Sequence, residues 1–357
     1  MQKAAEIAKE SHAKPASGIR EVAKLANVSV ATVSRVFNHP ETVRRETRDH
    51  VHLAADQLGY IPDSAARKLG SQVNRRIGLL VPTIEDSIFT KFIGSLHKEI
   101  SKSGYTLLLG AYGFDPEQEQ TELRGLIESG VDAVILCGEQ RSPELYDLLE
   151  RRKLPFINFN IFAPDSPHYS IGPNFRMAAQ NVANYLIELG HRDIGCLDFY
   201  AASNDRAAQR RLGIQDALAE HGIAFNPKHF IECDFGYEDG RLGFRSLMQT
   251  APEITATICG NDVLAIGALF EARDTGLSVP KNMSITGFDN LDLASQVSPT
   301  LTTVQLRNRE MGTRAAESII RLIEGTPSPK AIQLEANLIL RESTCRPAKR
   351  QRPPCLG

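Results

Sequence analysis

Between Ile19 and Asn38 the residues able to do chemistry sit at helical spacing. Val30, Ala31, Ser34, Arg35 and Asn38 share one face of a helix that starts after Ser29. Their surface is small, mostly neutral, and ends in one arginine and one amide. Such a surface suits the major groove of DNA: arginine donors match guanine edges, and small apolar side chains touch thymine methyls. The opposite face carries Val33, Val36 and Phe37, which must pack on something. A preceding helix supplies the partner, because Ile19, Val22, Ala23 and Ala26 fall at i, i+3, i+4 and i+7. Ala23 is small enough for a close crossing. Asn27 stands where the chain reverses and tolerates the left-handed conformation. Ser29 is suited to cap the second helix. A plain surface hairpin is the competing reading, and the residues that follow argue against it. Thr47 to Val51 and Ala54 to Tyr60 extend to a third helix, with Val51, Ala55 and Leu58 spaced to cover the first two.

Beyond Arg76 the pattern changes to alternating strands and helices. Apolar runs at 76–82, 106–109, 133–137 and 156–159 predict one set of strands, with helices at 92–103, 116–129 and 143–152 between them. A second set follows at 194–197, 230–233, 256–259 and 284–287, with helices such as 177–189 and 207–221. Repeated strand–helix units imply parallel sheets covered on both faces. Two such series predict two similar lobes. Ligands of doubly wound sheets bind beyond the carboxyl ends of the strands, so the space between the lobes is the natural site.

Composition limits the alternatives. A chain of 357 residues, 42% hydrophobic and 24% charged, has the makeup of a globular protein with two or three domains. No apolar run reaches membrane-span length, and residues 1–17 lack the apolar core of a secretory signal. The expected location is therefore cytoplasmic, with no membrane partner. The net charge of −2 hides an asymmetry: residues 1–76 hold 13 Lys and Arg against 8 Asp and Glu, and the remainder 28 against 35. A basic head on an acidic body fits a polyanionic partner at one end. The six cysteines, at 137, 196, 233, 259, 345 and 355, form no Cys-x-x-Cys pair, and four of them sit in apolar runs as buried thiols would. His50 and His52 point to different helix faces, so neither a metal nor a cofactor is expected. An enzyme on the same scaffold is one rival reading. The chain has no Gly-x-Gly, no Gly-x-Ser-x-Gly elbow and no phosphate loop ending in Gly-Lys-Ser/Thr. A transport-associated sugar-binding protein is a second rival, but it would need a secretion signal and no hairpin.

The wording of the hairpin resembles the lac/galactose repressor family of bacterial transcription regulators. The resemblance is carried by Val22-Ala23, Val28-Ser29, Thr32-Val33-Ser34-Arg35-Val36 with Asn38, Thr47-Arg48, and Leu58-Gly59-Tyr60-Ile61-Pro62, continuing through Ala66 and Leu69. It resumes in Gly190-His191-Arg192-Asp193, Asn261-Asp262, Gly287-Phe288-Asp289-Asn290, Pro299-Thr300-Leu301-Thr302-Thr303 and Arg341-Glu342-Ser343-Thr344. It implies an α/β chain with an all-α helix-turn-helix headpiece and a hinge helix. A two-lobed core of parallel sheets, like a periplasmic binding protein, follows. The corresponding boundaries are a disordered tail over 1–17, the headpiece over 18–62, hinge and linker over 63–75, an effector-binding and dimerisation core over 76–346, and a disordered tail over 347–357. Lobe 1 takes about 76–172 and 305–336, and lobe 2 about 173–304 and 337–346, with crossings near Gly172, Val304 and Asn337. A dimer is expected because one headpiece reads only a half-site, and the tail from Ala348 lacks a leucine heptad, so no tetramerisation coil is expected.

The resemblance also assigns roles. Ser29, Val30, Ala31, Thr32, Ser34, Arg35 and Asn38 would contact operator DNA, together with Ala66 and Leu69 of the hinge. The leucine at 69 would wedge into a minor-groove step and bend the duplex. Asp63 stands where asparagine is usual, and Ala65 replaces a common valine. Phe89, Asn160, Arg210, Phe235 and Asp289, each following a strand, match positions that line the effector pocket in the family. Asp289 can accept two hydroxyl hydrogen bonds, and Arg210 can donate a bidentate pair. Bland readings stand beside these: Phe89 and Phe235 as core, Arg210 as a solvated helix charge, Asp289 as a cap. Pro173 and Asn160 replace residues that are often acidic, which favours a neutral or acidic ligand, a sugar or sugar acid. The run Ala111 to Gln120 is similar to gluconate-type repressors and points the same way. A nucleobase or other non-sugar metabolite remains the alternative effector.

Overall fold

The computed structural model describes residues 18–61, 73–84 and 87–348. The tail over 1–17, most of the hinge with Ala66 and Leu69, and the tail beyond 348 lie outside the described residues. The chain divides into two compact units, 1–74 and 75–357.

The first unit holds helices α1 (Ile19–Leu25), α2 (Val30–Asn38) and α3 (Arg45–Leu58). Asn27 adopts φ 53 and reverses the chain between α1 and α2. The Ser29 side chain accepts a hydrogen bond from Thr32 N at 3.0 Å and caps α2. Gly59, at φ 59, ends α3, and Tyr60 N returns to Ala55 O. Val22, Val33, Val36 and Val51 are fully buried, with Ala23, Ala54 and Ala55 around them. Each buried valine contributes roughly 1.5–3 kcal/mol, which is how so small a unit holds its shape.

The second unit contains two six-stranded sheets. Lobe 1 is built on β1 (Arg76–Val81), β2 (Thr106–Ala111), β3 (Ala133–Cys137), β4 (Phe156–Phe159), β5 (Ser170–Pro173) and β11 (Ala331–Leu334), in the order β11-β5-β4-β3-β1-β2. Lobe 2 is built on β6 (Ile194–Asp198), β7 (Phe230–Glu232), β8 (Ala256–Cys259), β9 (Ser284–Phe288), β10 (Thr302–Leu306) and β12 (Ala336–Ile339), in the order β12-β10-β9-β8-β6-β7. Helices α4 (Thr90–Lys102), α5 (Pro116–Glu128), α6 (Pro143–Arg151) and α11 (Asn308–Ile323) cover lobe 1. Helices α7 (Phe175–Leu189), α8 (Asp205–Glu220), α9 (Tyr237–Thr250) and α10 (Asp262–Asp274) cover lobe 2. The central strands β1, β3, β6, β8 and β9 are almost wholly buried, which explains their continuous apolar runs.

The chain changes lobe at Asn174, Arg307 and Glu335, a few residues from the expected crossings. Pro173 therefore belongs to lobe 1, and Gln305, Leu306 and Ala336 to lobe 2, because the ladders run on through these residues, Pro173 pairing with Leu334, Gln305 with Asn337 and Leu306 with Ala336. One ladder departs from the expected parallel pattern: β10 and β12 pair antiparallel. They are neighbouring crossing segments that run between the lobes in opposite directions.

Candidate functional site

In the headpiece, α2 presents the side opposite Val33 and Val36. Val30 is 43% exposed, and Ala31 and Arg35 are exposed with it. Arg35 makes no ion pair among the described residues, so its guanidinium is available to a polyanion. Ser34 and Asn38 lie one turn apart and are joined, Asn38 Nδ2 donating to Ser34 Oγ at 3.1 Å. Ser29 and Thr32 are engaged at the helix start, their hydroxyls 2.9 Å apart. The seven hairpin residues thus divide into Val30, Ala31 and Arg35 on the open side, the joined pair Ser34 and Asn38, and the pair Ser29 and Thr32 at the helix start. Phe37 packs edge-on to His52 and Tyr60, which fixes α2 against α3.

In the core, Phe89, Asn160, Arg210, Phe235 and Asp289 line one narrow cavity between the lobes, of about 30 Å³. Phe114, Phe175, Asn204, Arg206 and Asn261 complete most of its wall. The strand ends aim several of these groups. Gly138 after β3 has φ 70, Asn160 after β4 has φ 60, and Asp289 after β9 has φ 97. Non-glycine residues rarely occupy that region, and such strain concentrates at binding sites.

The arginine does not offer its fork to the cavity, as the sequence suggested. Arg210 Nε and Nη2 donate to Asp198 Oδ2 and Oδ1 at 2.8 and 2.5 Å, because Asp198 ends β6 directly beneath α8. Arg210 is 7% exposed and lies over the rings of Phe175 and Phe288, so it is no solvated helix charge. Its Nη1 takes no hydrogen-bond partner among the described residues. Arg206 pairs with Asp205 at 2.7 Å. The Asp289 carboxylate accepts no hydrogen bond among the described residues; the capping role considered for it falls to Asp262, which accepts from Leu291 N and the Thr303 hydroxyl. Burial pushes the Asp289 carboxyl up to about 7, against the opposing pull of Arg210. Phe89 is 5% exposed and packs edge-on to Phe159, so it is a core residue as well as a wall.

Polar contacts join the lobes away from the cavity wall. Asp205 of lobe 2 accepts from the Glu139 and Gln140 amides of lobe 1 at 2.5 and 3.0 Å. Burial raises the Asp205 carboxyl, but Arg206 and those amides more than offset it, and its pKa falls below the usual range. Arg141 supports the same turn from below, donating to the Cys137 and Gly138 carbonyls and to Glu119, Asn158 and Tyr146. On another side, Lys91 Nζ of lobe 1 meets Asp292 of lobe 2 at 2.6 Å. Outside the Asp205 contact lies a groove of about 720 Å³, bordered by Glu139, Asp165, Asn174 and Arg176. Asn174, Asn204 and Asn261 also cap α7, α8 and α10. Asparagine just ahead of the helix expected from 207 was the signal by which Asn204 was open to detection. Among the described residues no cluster of metal-ligating side chains occurs, and no helix is long and apolar enough to cross a membrane.

Comparison with known proteins agrees with this layout. Residues 18–63 match the model of bacterial regulatory proteins of the lacI family. Residues 74–342 match that of periplasmic binding proteins and the sugar-binding domain of the LacI family. The HTH-type transcriptional repressor CytR of Escherichia coli K12 is 33% identical, over 92% of this chain and 96% of that protein. The ribose operon repressor of Haemophilus influenzae is 31% identical, over 91% and 98%. The lac repressor dimer bound to operator and the anti-inducer ONPF has the same fold, with a TM-score of 0.81 at 24% identity over 93% and 100% of the two chains. With a helix-turn-helix headpiece, a two-lobed core following it in sequence and both family models matched, this chain belongs to the lacI family of bacterial transcriptional regulators.

Proposed function

We propose that the protein is a homodimeric repressor that reads a near-palindromic operator with α2 and is controlled by a neutral polyhydroxyl ligand held between the lobes. One α2 covers only a half-site, and two related by a dyad cover the whole. The observation that carries the ligand reading is the pairing of charges in the cavity. Arg210 is matched by Asp198 and Arg206 by Asp205, so Asp289 is left as an acceptor without a cation of its own. A carboxylate ligand would find no surplus positive charge there. Hydroxyls would find an acceptor in Asp289 and donors in Arg210 Nη1 and the asparagines. This narrows the choice between sugar and sugar acid in favour of the neutral sugar. The ribose operon repressor among the relatives fits that choice.

The aromatic walls favour a second reading, a ligand that carries a flat base as well as a sugar ring. D-Ribose, D-gluconate and uridine separate the three cases. Thermal stabilisation of the protein is expected with a neutral compound, since a ligand bound only by the folded state raises the melting temperature. Stabilisation by D-gluconate that matches or exceeds the neutral compounds overturns the neutral reading. For the DNA function, an electrophoretic mobility shift on a selected palindromic duplex is the direct measurement. Ligand binding then changes operator affinity by no more than the ligand's preference between the two lobe arrangements.

A further inference from the structure

Phe114 is a phenylalanine in a backbone conformation that phenylalanine seldom adopts. Gly113 and Phe114 have φ 59 and 60, and Asp115 N donates to Tyr112 O at 2.9 Å. Two left-handed residues closed by that bond make a tight turn in which Gly, Asn or Asp normally stands. Backbone strain of this kind persists only where the surroundings over-determine it. Here the surroundings belong to the other lobe. The Phe114 ring leaves lobe 1 and lies 4.2 Å from the Phe199 ring and 5.5 Å from the Phe235 ring of lobe 2.

Its position explains how small the cavity is. About 30 Å³ remains among the cavity walls, room for a couple of waters, whereas ligand pockets usually measure roughly 300–1,000 Å³. Several walls are fixed. Arg206 and Arg210 are bound to carboxylates, Phe89 is held edge-on to Phe159, and Phe175 is buried in the first turn of α7. Phe114 is differently placed. It is half-buried, and the adjoining Gly113 has open space around it.

We propose that Phe114 is the specificity-determining wall of the cleft, its ring occupying the room that the larger part of a ligand needs. The proposal rests on the reading of the cleft as the effector site. A ligand that stacks on Phe199 and Phe235 takes the place of this ring and releases the strained turn. A two-ring ligand must displace this ring to enter, so with Phe114 present it binds more weakly than it would in the ring's absence.

Two variants of the full chain test this. Phe114→Asn keeps a residue suited to the left-handed turn and removes the ring. Phe114→Trp places a single reporter in a protein that has no tryptophan. Calorimetric titration with D-ribose, uridine and cellobiose should show Phe114→Asn gaining roughly tenfold or more in affinity for at least one two-ring probe relative to its change for ribose. The tryptophan should emit at blue-shifted wavelength and resist iodide quenching in the free protein, and Phe199→Ala in that background should expose it. Identical titrations of wild type and Phe114→Asn overturn the proposal, and so does a freely quenched tryptophan. Ribose binding left unchanged by Asp289→Asn would overturn the cleft reading instead, and the tryptophan measurement, which needs no ligand, is read independently of it.

Discussion

At the scale of single residues, Asp289 links the cavity to pH. Burial is the main force pushing its carboxyl up to about 7, with Arg210 pulling down and Asp198 pushing further up. A raised carboxyl pKa means that the folded protein holds this proton more tightly than the unfolded chain. The group's contribution to stability is therefore present below the ordinary carboxylate pKa and is lost as pH rises through about 7. Binding runs the other way, because only the ionised form accepts hydroxyl hydrogen bonds with both oxygens. Affinity for a neutral sugar should rise between pH 6 and pH 8, and calorimetry on Asp289→Asn should give a weaker and flat profile. A wild-type affinity that falls over that interval counts against the role of Asp289. Ser29→Ala belongs to the same scale. Losing the cap should cost about 1 kcal/mol, seen as earlier melting of the headpiece. Asp289 and Arg210 were singled out through the family resemblance, Asp289 just after an apolar strand and Arg210 within the helix that follows one. The pairing of Arg210 with Asp198 was not, since a buried charge takes whichever partner the tertiary structure brings near. Phe114 was noticed only as part of the run Ala111 to Gln120, because what sets it apart is a backbone angle and contacts with the other lobe.

The elements show the same division. β1, β3, β6, β8 and β9 could be read from unbroken apolar runs, and the three headpiece helices from their spacing and the Ser29 cap. β5, β11 and β12 could not, being four-residue strands, the last two at sheet edges, whose ladders depend on neighbours far along the chain. How the covering helices pair is also a tertiary matter, and glycine decides it at one place. A Cβ on Gly213 of α8 would overlap the Arg176 carbonyl of α7. The two helices are further tied by Arg176 to Asp216 and Gln180 to Glu220. Gly213→Ala should lower stability by about 1–3 kcal/mol through overpacking, even though alanine is the better helix former. Chemical denaturation reads this directly, and an unchanged or raised midpoint would show that α7 and α8 can separate without cost. Asp205→Ala tests the joint between lobes. It removes the acceptor for the Glu139 and Gln140 amides, so small-angle scattering should record a larger radius for the variant core. An unchanged radius would mean that Lys91–Asp292 and the aromatic contacts hold the lobes without it.

For the whole molecule, the two units have separate reasons to fold. The headpiece core of Val22, Val33, Val36 and Val51 is drawn from its three helices, with Val28, Val43 and Tyr60 packed against it, while each lobe is centred on its own sheet. Charge divides along the same line, with the basic excess in the first 76 residues and the acidic excess behind it. DNA affinity should therefore reside in the first unit and ligand affinity in the second, and removal of residues 1–69 should separate them. The truncated protein is expected to keep its thermal stabilisation by the neutral ligand and to lose duplex binding. In the full chain, log affinity for the operator should fall linearly with log salt, each neutralised phosphate adding about −0.9 to the slope. Arg35→Ala should weaken binding to the preferred operator more than to unrelated duplexes, because a base contact carries sequence information and a phosphate contact does not. Equal losses on both would reassign Arg35 to the backbone, and duplex binding by the truncated protein would place the DNA surface in the core.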